Sequence, residues 1–176
     1  MKRVDEGFSL VEILIVIAIL LTLAAIAIPN LLRARIAANE ASAVGSIRTI
    51  NTAAASYNSI YGNGYPPTLA ALGTTGSGAP TCKDAELIDS VLTTGTKSGY
   101  TLAFVHGKTK LTKADSSCTG GFGYSDGYVV TATPVTVGVT GQRAFCSDAT
   151  SVILYSVSGK ATYTTPDCSS KMTPLQ

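Results

Sequence analysis

The segment that decides the fold is Gly7-Phe8-Ser9-Leu10-Val11-Glu12-Ile13, which opens an otherwise apolar run from Leu10 to Ile28. Glu12 is the one charged residue in that run. A carboxylate at the centre of a bilayer costs roughly 2.5–3.5 kcal/mol on insertion scales, and less near the interface. Such a group needs a positive partner. If the chain is cut between Gly7 and Phe8, the new α-amino group of Phe8 lies four residues before Glu12, on the same helix face.

The apolar run is long enough to cross a membrane, since 19 helical residues span about 28 Å. An ordinary secretory signal peptide is one alternative, because Ala25-Ile26-Ala27 fits a small-x-small cleavage site. Glu12 inside the apolar core and a helical pattern that continues for some thirty residues argue against it. A permanent membrane anchor that is never processed is the other alternative.

The Gly7-Phe8 pair, Glu12, the apolar span, Pro29 and the basic residues Lys2 and Arg3 together resemble the class III signal of type IV pilins and type II secretion pseudopilins. The resemblance is specific from Lys2 to Pro29 and looser onward to Tyr61. It implies a leader of residues 1–7 that a prepilin peptidase cuts after Gly7, N-methylation of Phe8, and a registration role for Glu12 during assembly.

The same resemblance implies the partners and the location of the chain. Its partners are copies of itself in a helical homopolymer, the prepilin peptidase/methyltransferase, the pilus assembly machinery of the inner membrane, and membrane lipid before assembly. The precursor is expected in the bacterial inner membrane with its headpiece outside the cytoplasm, and the mature subunit in an extracellular pilus. Such subunits serve adhesion, motility, DNA uptake or electron transfer.

A single long helix is predicted for residues 8–61, with its membrane-spanning half at 8–29. Pro29 removes one helical hydrogen bond and is expected to kink or loosen the helix. Beyond it, apolar residues recur at three- and four-residue spacing, and Gly62 is predicted to end the helix. The stripe comprises Leu32, Ile36, Ala43, Ile47, Ile50, Ala54, Tyr57 and Tyr61. We expect the apolar half of this helix to lie in the membrane or inside a bundle of identical helices. A single-pass anchor followed by a stalk is the alternative interpretation.

The second half of the chain predicts an α+β protein in which the helix packs on an antiparallel sheet of about four strands. The connection at 62–98 is rich in Gly, Pro, Ser and Thr, with short helices expected around Leu69–Leu72 and from Asp84 to Leu92. A β headpiece is expected at 99–176, with Ile47, Ile50, Ala54 and Tyr57 as helix contacts. Its strands are predicted at Tyr100–His106, Gly127–Thr133, Arg143–Cys146 and Val152–Val157, the last turning at Ser158-Gly159 toward Ala161–Thr164.

Four cysteines, Cys82, Cys118, Cys146 and Cys168, all follow the membrane-length segment. An even number of cysteines in an exported segment predicts two disulfides. The sequence has no C-x-x-C motif, so a zinc site is not expected. Of the three possible pairings, Cys82–Cys118 and Cys146–Cys168 require the least crossing. Disulfides also orient the chain, because they place the headpiece outside the reducing cytoplasm.

The resemblance implies a structural subunit and not an enzyme, and no cofactor or metal is expected. The net charge of +2 across 176 residues does not demand an acidic or nucleic-acid partner. His106 is the only histidine, and no catalytic constellation is visible. The acids Asp84, Glu86 and Asp89 lack calcium-loop spacing and predict a solvated face. Lys108, Lys110 and Lys113 could attract DNA by charge, but a solvated hairpin tip is favoured.

Three functional hypotheses follow. The first is a type IV pilin, and the second is a pseudopilin of type II secretion, which would form a short periplasmic filament from the same N-terminus. The cysteine-flanked C-terminal region resembles the pilin more closely. The third hypothesis is a membrane-tethered enzyme or binding protein, which would need a catalytic constellation in the headpiece.

Overall fold

The computed structural model describes residues 9–62, 64–74, 79–111 and 123–175. The chain divides into two compact units, Met1–Arg35 and Ile36–Gln176. One helix, α1, runs from Leu10 to Tyr61 and has Pro29 inside it.

In the first unit, the part of the helix from Ile13 to Ile28 carries no charged residue and presents apolar side chains on every side. The large apolar side chains between Leu10 and Ile28 are 49–83% exposed. By length and composition this part of α1 is able to cross a membrane. A helix that is apolar all round needs either lipid or other helices around it, because none of its faces suits water.

In the second unit, one face of α1 forms the centre of the core. The four predicted contact residues Ile47, Ile50, Ala54 and Tyr57 are all fully buried, which confirms that prediction. The helix ends at Tyr61, as predicted, and Gly62 adopts a left-handed conformation with φ of 58° while donating to the Asn58 carbonyl. Glycine takes this conformation without the steric cost of a Cβ, so it terminates the helix.

An antiparallel sheet packs on that face of α1, so the α+β fold class is confirmed. The sheet has six strands in the order β1-β2-β3-β4-β5-β8, and a separate ladder joins β6 to β7. The strands are β1 (Thr96–Lys97), β2 (Tyr100–His106), β3 (Tyr128–Pro134), β4 (Ala144–Asp148), β5 (Ile153–Ser156), β6 (Tyr163–Thr164), β7 (Asp167–Cys168) and β8 (Thr173–Pro174).

The expected count of about four strands is too low. β2 has the predicted bounds, and β3, β4 and β5 differ from their predicted bounds by one or two residues. Within the sheet, β1 and β8 were not predicted; they form its edges and have only two residues each. The two-residue strand β7 of the separate ladder was not predicted either. A strand of that length is too short to show the alternation from which strands are recognised.

The predicted return of the chain after β5 is wrong. Leu154 and Tyr155 of β5 pair with β8, whereas Tyr163 and Thr164 pair with β7. Cys168 of β7 is held to the other face of the sheet by its disulfide to Cys146, and β8 occupies the edge of β5, so the β6–β7 hairpin does not pair there.

The sheet is covered on both faces at its centre. Tyr128, Val130 and Ala132 of β3 face the α1 core, whereas Val129 packs on the opposite face with Cys146 and Met172. The C-terminal segment therefore supplies a small second core. This explains why six of the seven residues of β3 are buried and the strand lacks a solvent-exposed face.

The connection between α1 and the sheet contains less helix than expected. A 3₁₀ turn at Ala70–Leu72 confirms the first predicted helix. The second is wrong, since only α2 (Ser90–Thr93) is helical. The backbone N–H groups of Ala85, Leu87 and Ile88 donate to carbonyls of Ala71 and Leu72. In a helix starting at Asp84 the Ile88 N–H would donate to the Asp84 carbonyl, but it donates to Leu72, and Glu86 has a non-helical φ of 54°.

Candidate functional site

Glu12 lies at the third position of α1 and contacts the residue that precedes the helix. Its Oε2 accepts a hydrogen bond of 3.2 Å from the backbone N–H of Ser9. A carboxylate at this position satisfies one of the N–H groups left over at a helix start and interacts favourably with the positive end of the helix dipole. Ser9 through Glu12 has the S-x-x-E spacing of a capping box, a sequence signal from which this hydrogen bond could have been predicted.

The structure describes only some of the other residues expected at the N-terminal site. Gly7 and Phe8 lie outside the described residues. Pro29 lies within α1, which is helical on both sides of it. Glu12 and Ser9 are exposed in the single chain, so the carboxylate is accessible to a partner.

Residues 2–28 match the family model described as the prokaryotic N-terminal methylation motif. The N-terminus is a class III prepilin signal. This prepilin signal is shared by type IV pilins and pseudopilins, and the apolar start of α1 agrees with it. It implies processing by a prepilin peptidase, assembly into a filament and membrane anchoring of the precursor. No curated protein and no solved structure matches the chain.

The disulfide predicted between Cys146 and Cys168 is confirmed, with its Cα atoms 6.0 Å apart. It joins the central strand β4 to β7. Asp148, two residues after Cys146, strengthens this junction, because its Oδ2 accepts a 3.2 Å hydrogen bond from the Cys168 N–H. Cys82 is buried and disulfide-bonded, whereas Cys118 lies outside the described residues, so its pairing stays a prediction.

Glu40 fastens α1 to the connection between β3 and β4. Its Oε1 accepts hydrogen bonds of 2.9 Å from the backbone N–H groups of Gln142 and Arg143. Its Oε2 accepts bonds of 2.8 Å from Nε and Nη2 of Arg143. Burial raises the pKa of Glu40, but these hydrogen bonds and the Arg143 charge outweigh it and hold the pKa below its ordinary value.

A second polar contact lies deeper in the core. Asn51 donates from Nδ2 to Ser147 Oγ at 2.8 Å, and its Oδ1 accepts from the Tyr128 hydroxyl at 3.2 Å. Asn51 and Ser147 are at most 5% exposed. The pair therefore joins α1 to β4 and β3 with both members satisfied, as buried polar groups require.

The surface positions considered for binding have ordinary partners. His106 ends β2, and its ring stacks on Tyr124 with centroids 3.7 Å apart. Lys108 and Lys110 are exposed, whereas Lys113 lies outside the described residues. Asp89 caps α2 by accepting from the Leu92 N–H at 2.7 Å. Among the described residues, no three metal-ligating side chains gather.

Proposed function

We propose that this chain is a structural subunit, a pilin, of a type IV pilus. The observation that carries the proposal is the N-terminal methylation motif at residues 2–28, with Glu12 inside an apolar, unpartnered helix. The chain acts by polymerising and has no enzymatic role. The inner membrane stores it as a precursor, and the assembly machinery there incorporates it into a filament on the cell surface.

Processing removes residues 1–7 and leaves a methylated amino group on Phe8. The mature subunit then consists of the helix at 8–61, whose part at 8–29 spans the bilayer, the connection at 62–98 and the headpiece at 99–176. Moving the apolar part of α1 from lipid into a bundle of like helices exchanges one apolar environment for another, so the transfer does not require exposing it to water.

Glu12 gives the assembly its register. In the single chain its carboxylate caps α1 through the Ser9 N–H. In the filament it is neutralised by the Phe8 ammonium of an adjacent subunit. A subunit packed out of register would bury an unpaired charge, which costs several kcal/mol.

Pro29 loosens α1 when subunits pack. The proline ring leaves one carbonyl of the preceding turn without its usual donor, so residues 26–30 are the weakest part of the helix. The single chain has its helix across this region. Local melting is therefore proposed for the packed filament, and a density map of the filament with unbroken helix at 26–30 would exclude it.

The headpiece is suited to the outside of the cell and to mechanical load. Two disulfides, the proposed Cys82–Cys118 and Cys146–Cys168, restrict the unfolded chain. The hydrogen bonds of Glu40 to Gln142 and Arg143 attach the sheet to α1, the helix through which the filament transmits force.

A pseudopilin of type II secretion shares the prepilin signal and is the alternative. The two differ in where the processed chain accumulates. We would shear the surface of the source cells, collect the filaments, and measure the intact mass and N-terminal peptide of this chain. A methylated peptide starting at Phe8 in sheared fibres supports the pilin. The same peptide confined to the membrane fraction supports the pseudopilin, and a chain starting at Met1 or after Ala27 overturns both.

A further inference from the structure

Two exposed arginines, Arg33 and Arg35, follow directly after the uncharged part of α1. Between Glu12 and Arg33 lie the 20 residues 13–32, and none of them is charged. As a helix these residues rise about 30 Å, which equals the thickness of the hydrocarbon core of a bilayer. The uncharged part therefore continues past residue 29, the predicted end of the span, and reaches the surface of the hydrocarbon core at Arg33.

Neither arginine has an acidic partner within the part of the chain that the structure describes. No ion pair there involves Arg33 or Arg35. Of the two nearest acidic residues along α1, Glu12 lies at the opposite end of the uncharged part, and the carboxylate of Glu40 is bound to Arg143. Two guanidinium groups are therefore left for an anionic group outside the chain, and phosphate suits their planar, bidentate donors.

The positions of the two arginines on the helix favour lipid as the source of that phosphate. Residues two positions apart differ by about 200° around a helix, so Arg33 and Arg35 point to opposite sides of α1. A protein docked on one side of α1 would meet one of them, whereas lipid headgroups surround a spanning helix and meet both. The long apolar stem of arginine can stay in the hydrocarbon core while the guanidinium reaches the headgroups.

Membrane topology alone gives no reason for arginines at this end of the span. Basic residues beside a span usually lie on the cytoplasmic side. The Cys146–Cys168 disulfide, in contrast, indicates that the headpiece lies outside the reducing cytoplasm, and Arg33 and Arg35 are on the headpiece side of the uncharged part. A contact with lipid phosphate accounts for two positive charges at this level.

We propose that Arg33 and Arg35 bind phosphate groups of phospholipids in the leaflet that faces the headpiece, and that this contact sets how deeply the stored subunit lies in the membrane. The inference rests on the proposed function, because it concerns the subunit before assembly. The contact is given up when the subunit leaves the bilayer, so it retains the subunit in the membrane and does not hold the filament together.

The direct test measures the distance between guanidinium carbon and lipid phosphorus. The full-length chain, labelled with ¹³C at the guanidinium of arginine, is placed in vesicles of phosphatidylethanolamine and phosphatidylglycerol and studied by ¹³C–³¹P dephasing in solid-state NMR. The chain has five arginines, namely Arg3, Arg33, Arg35, Arg48 and Arg143. The double change Arg33→Gln and Arg35→Gln should remove the dephased signal of two arginines.

Arg48→Gln is the matched control for that measurement. Arg48 is exposed on the same helix, no ion pair in the described part of the chain involves it, and the change removes one positive charge in the same way. It lies 15 residues beyond Arg33, about 22 Å along the helix, and should therefore lie away from the headgroups. Its replacement should leave the dephased signal unchanged.

A second test measures the depth of the span. The chain contains no Trp, so Ile28→Trp introduces a single fluorophore about 7.5 Å before Arg33 along the helix. Phospholipids brominated near the headgroup or near the chain ends then report its depth by quenching. In the double Gln variant, quenching should shift toward lipids brominated near the chain ends, because uncharged glutamine enters the bilayer at lower cost than arginine.

The outcomes separate this inference from the proposed function. All variants must retain the Cys146–Cys168 disulfide, which excludes a folding defect. Dephasing equal to wild type in the double variant, or an unchanged depth, would overturn the inference. An unchanged depth together with loss of the double variant from sheared filaments would overturn it by assigning the arginines to contacts between subunits.

Two further results concern the proposed function itself. If no brominated lipid quenches the tryptophan at position 28, the chain does not enter the bilayer, and both this inference and membrane storage fail. If the arginine-dependent phosphate contact is present but the wild-type chain is absent from filaments, the proposed function fails and the lipid contact stands.

Discussion

Glu40 and Arg143 join the long helix to the sheet through an ion pair in which Glu40 Oε2 lies 2.8 Å from both Nε and Nη2 of Arg143. The carboxylate is almost fully buried, whereas the Arg143 side chain is 37% exposed and lies over the rings of Phe145 and Tyr155. The pair fixes the start of β4 on α1, and the same carboxylate also holds the backbone of residues 142 and 143.

Replacing Glu40 by Ala should destabilise the headpiece. Breaking a buried ion pair costs about 3–5 kcal/mol, and the exposure of Arg143 reduces the expectation here to about 2–3 kcal/mol. Denaturant unfolding of the full chain in detergent, followed by the near-UV circular dichroism of its tyrosines, measures the change. Lys97→Met is the control, because the exposed Lys97–Asp89 pair is 3.9 Å apart and should contribute less than about 1 kcal/mol. Equal losses in the two variants would contradict a special role for Glu40.

Acid should weaken the headpiece through the same carboxylate. The pKa of Glu40 is lower in the folded chain than its ordinary value of 4.5. A lowered folded-state pKa contributes stability above the unfolded-state pKa, and this contribution is lost as the pH falls through the folded-state pKa. The free energy of unfolding should therefore decline below pH 4.5, and it should decline less steeply in Glu40→Gln. Parallel pH profiles for wild type and Glu40→Gln would assign the acid sensitivity to other groups.

The long helix and the longer strands are predictable from the periodicity of their apolar residues, whereas the polar contacts that join them are not. Along α1 and along strands β2 to β5, apolar residues recur over enough positions to indicate which side is buried. Glu40 and Asn51 lie on the same helix as polar residues and give no sign that they are buried, because their partners are about a hundred residues away. The edge strands are only two residues long, and their pairing depends on the tertiary position of the neighbouring strand and not on a local sequence pattern. The Ser9–Glu12 cap, in contrast, has a readable spacing.

The two roles of Glu12 can be separated by comparing Glu12→Ala with Glu12→Gln. Glutamine keeps an oxygen that can accept from the Ser9 N–H but has no charge to pair with the Phe8 ammonium. Both variants should insert into the membrane at least as well as wild type, since each removes a charge from the apolar run. Both should assemble poorly with wild-type subunits, measured as their share of sheared filaments. Rescue by glutamine would show that the cap, and not the charge, is what assembly requires.

Loss of the Cys146–Cys168 disulfide should lower the stability of the headpiece. The two cysteines are 22 residues apart, and closing a loop of that length stabilises a fold by about 3 kcal/mol on the chain-entropy model. The double change Cys146→Ser and Cys168→Ser, unfolded in denaturant beside Asp148→Asn, compares the covalent link with one of its hydrogen-bonding neighbours.

A non-reducing digest of the wild-type chain should also yield a linked Cys82–Cys118 peptide. Any other partner for Cys82 would refute the predicted pairing.

Replacing Gly7 by Ile should leave the leader attached. Glycine has no Cβ, so a peptidase can approach the backbone of the Gly7–Phe8 bond closely, whereas a β-branched side chain would obstruct that approach. The intact mass should then include residues 1–7 without methylation, and the chain should stay in the membrane fraction and out of filaments. Glu6→Gln, a change of the neighbouring leader residue that keeps the glycine, should be processed normally. A Gly7→Ile chain that still begins at Phe8 would place the recognition of the leader elsewhere, for example at Lys2 and Arg3.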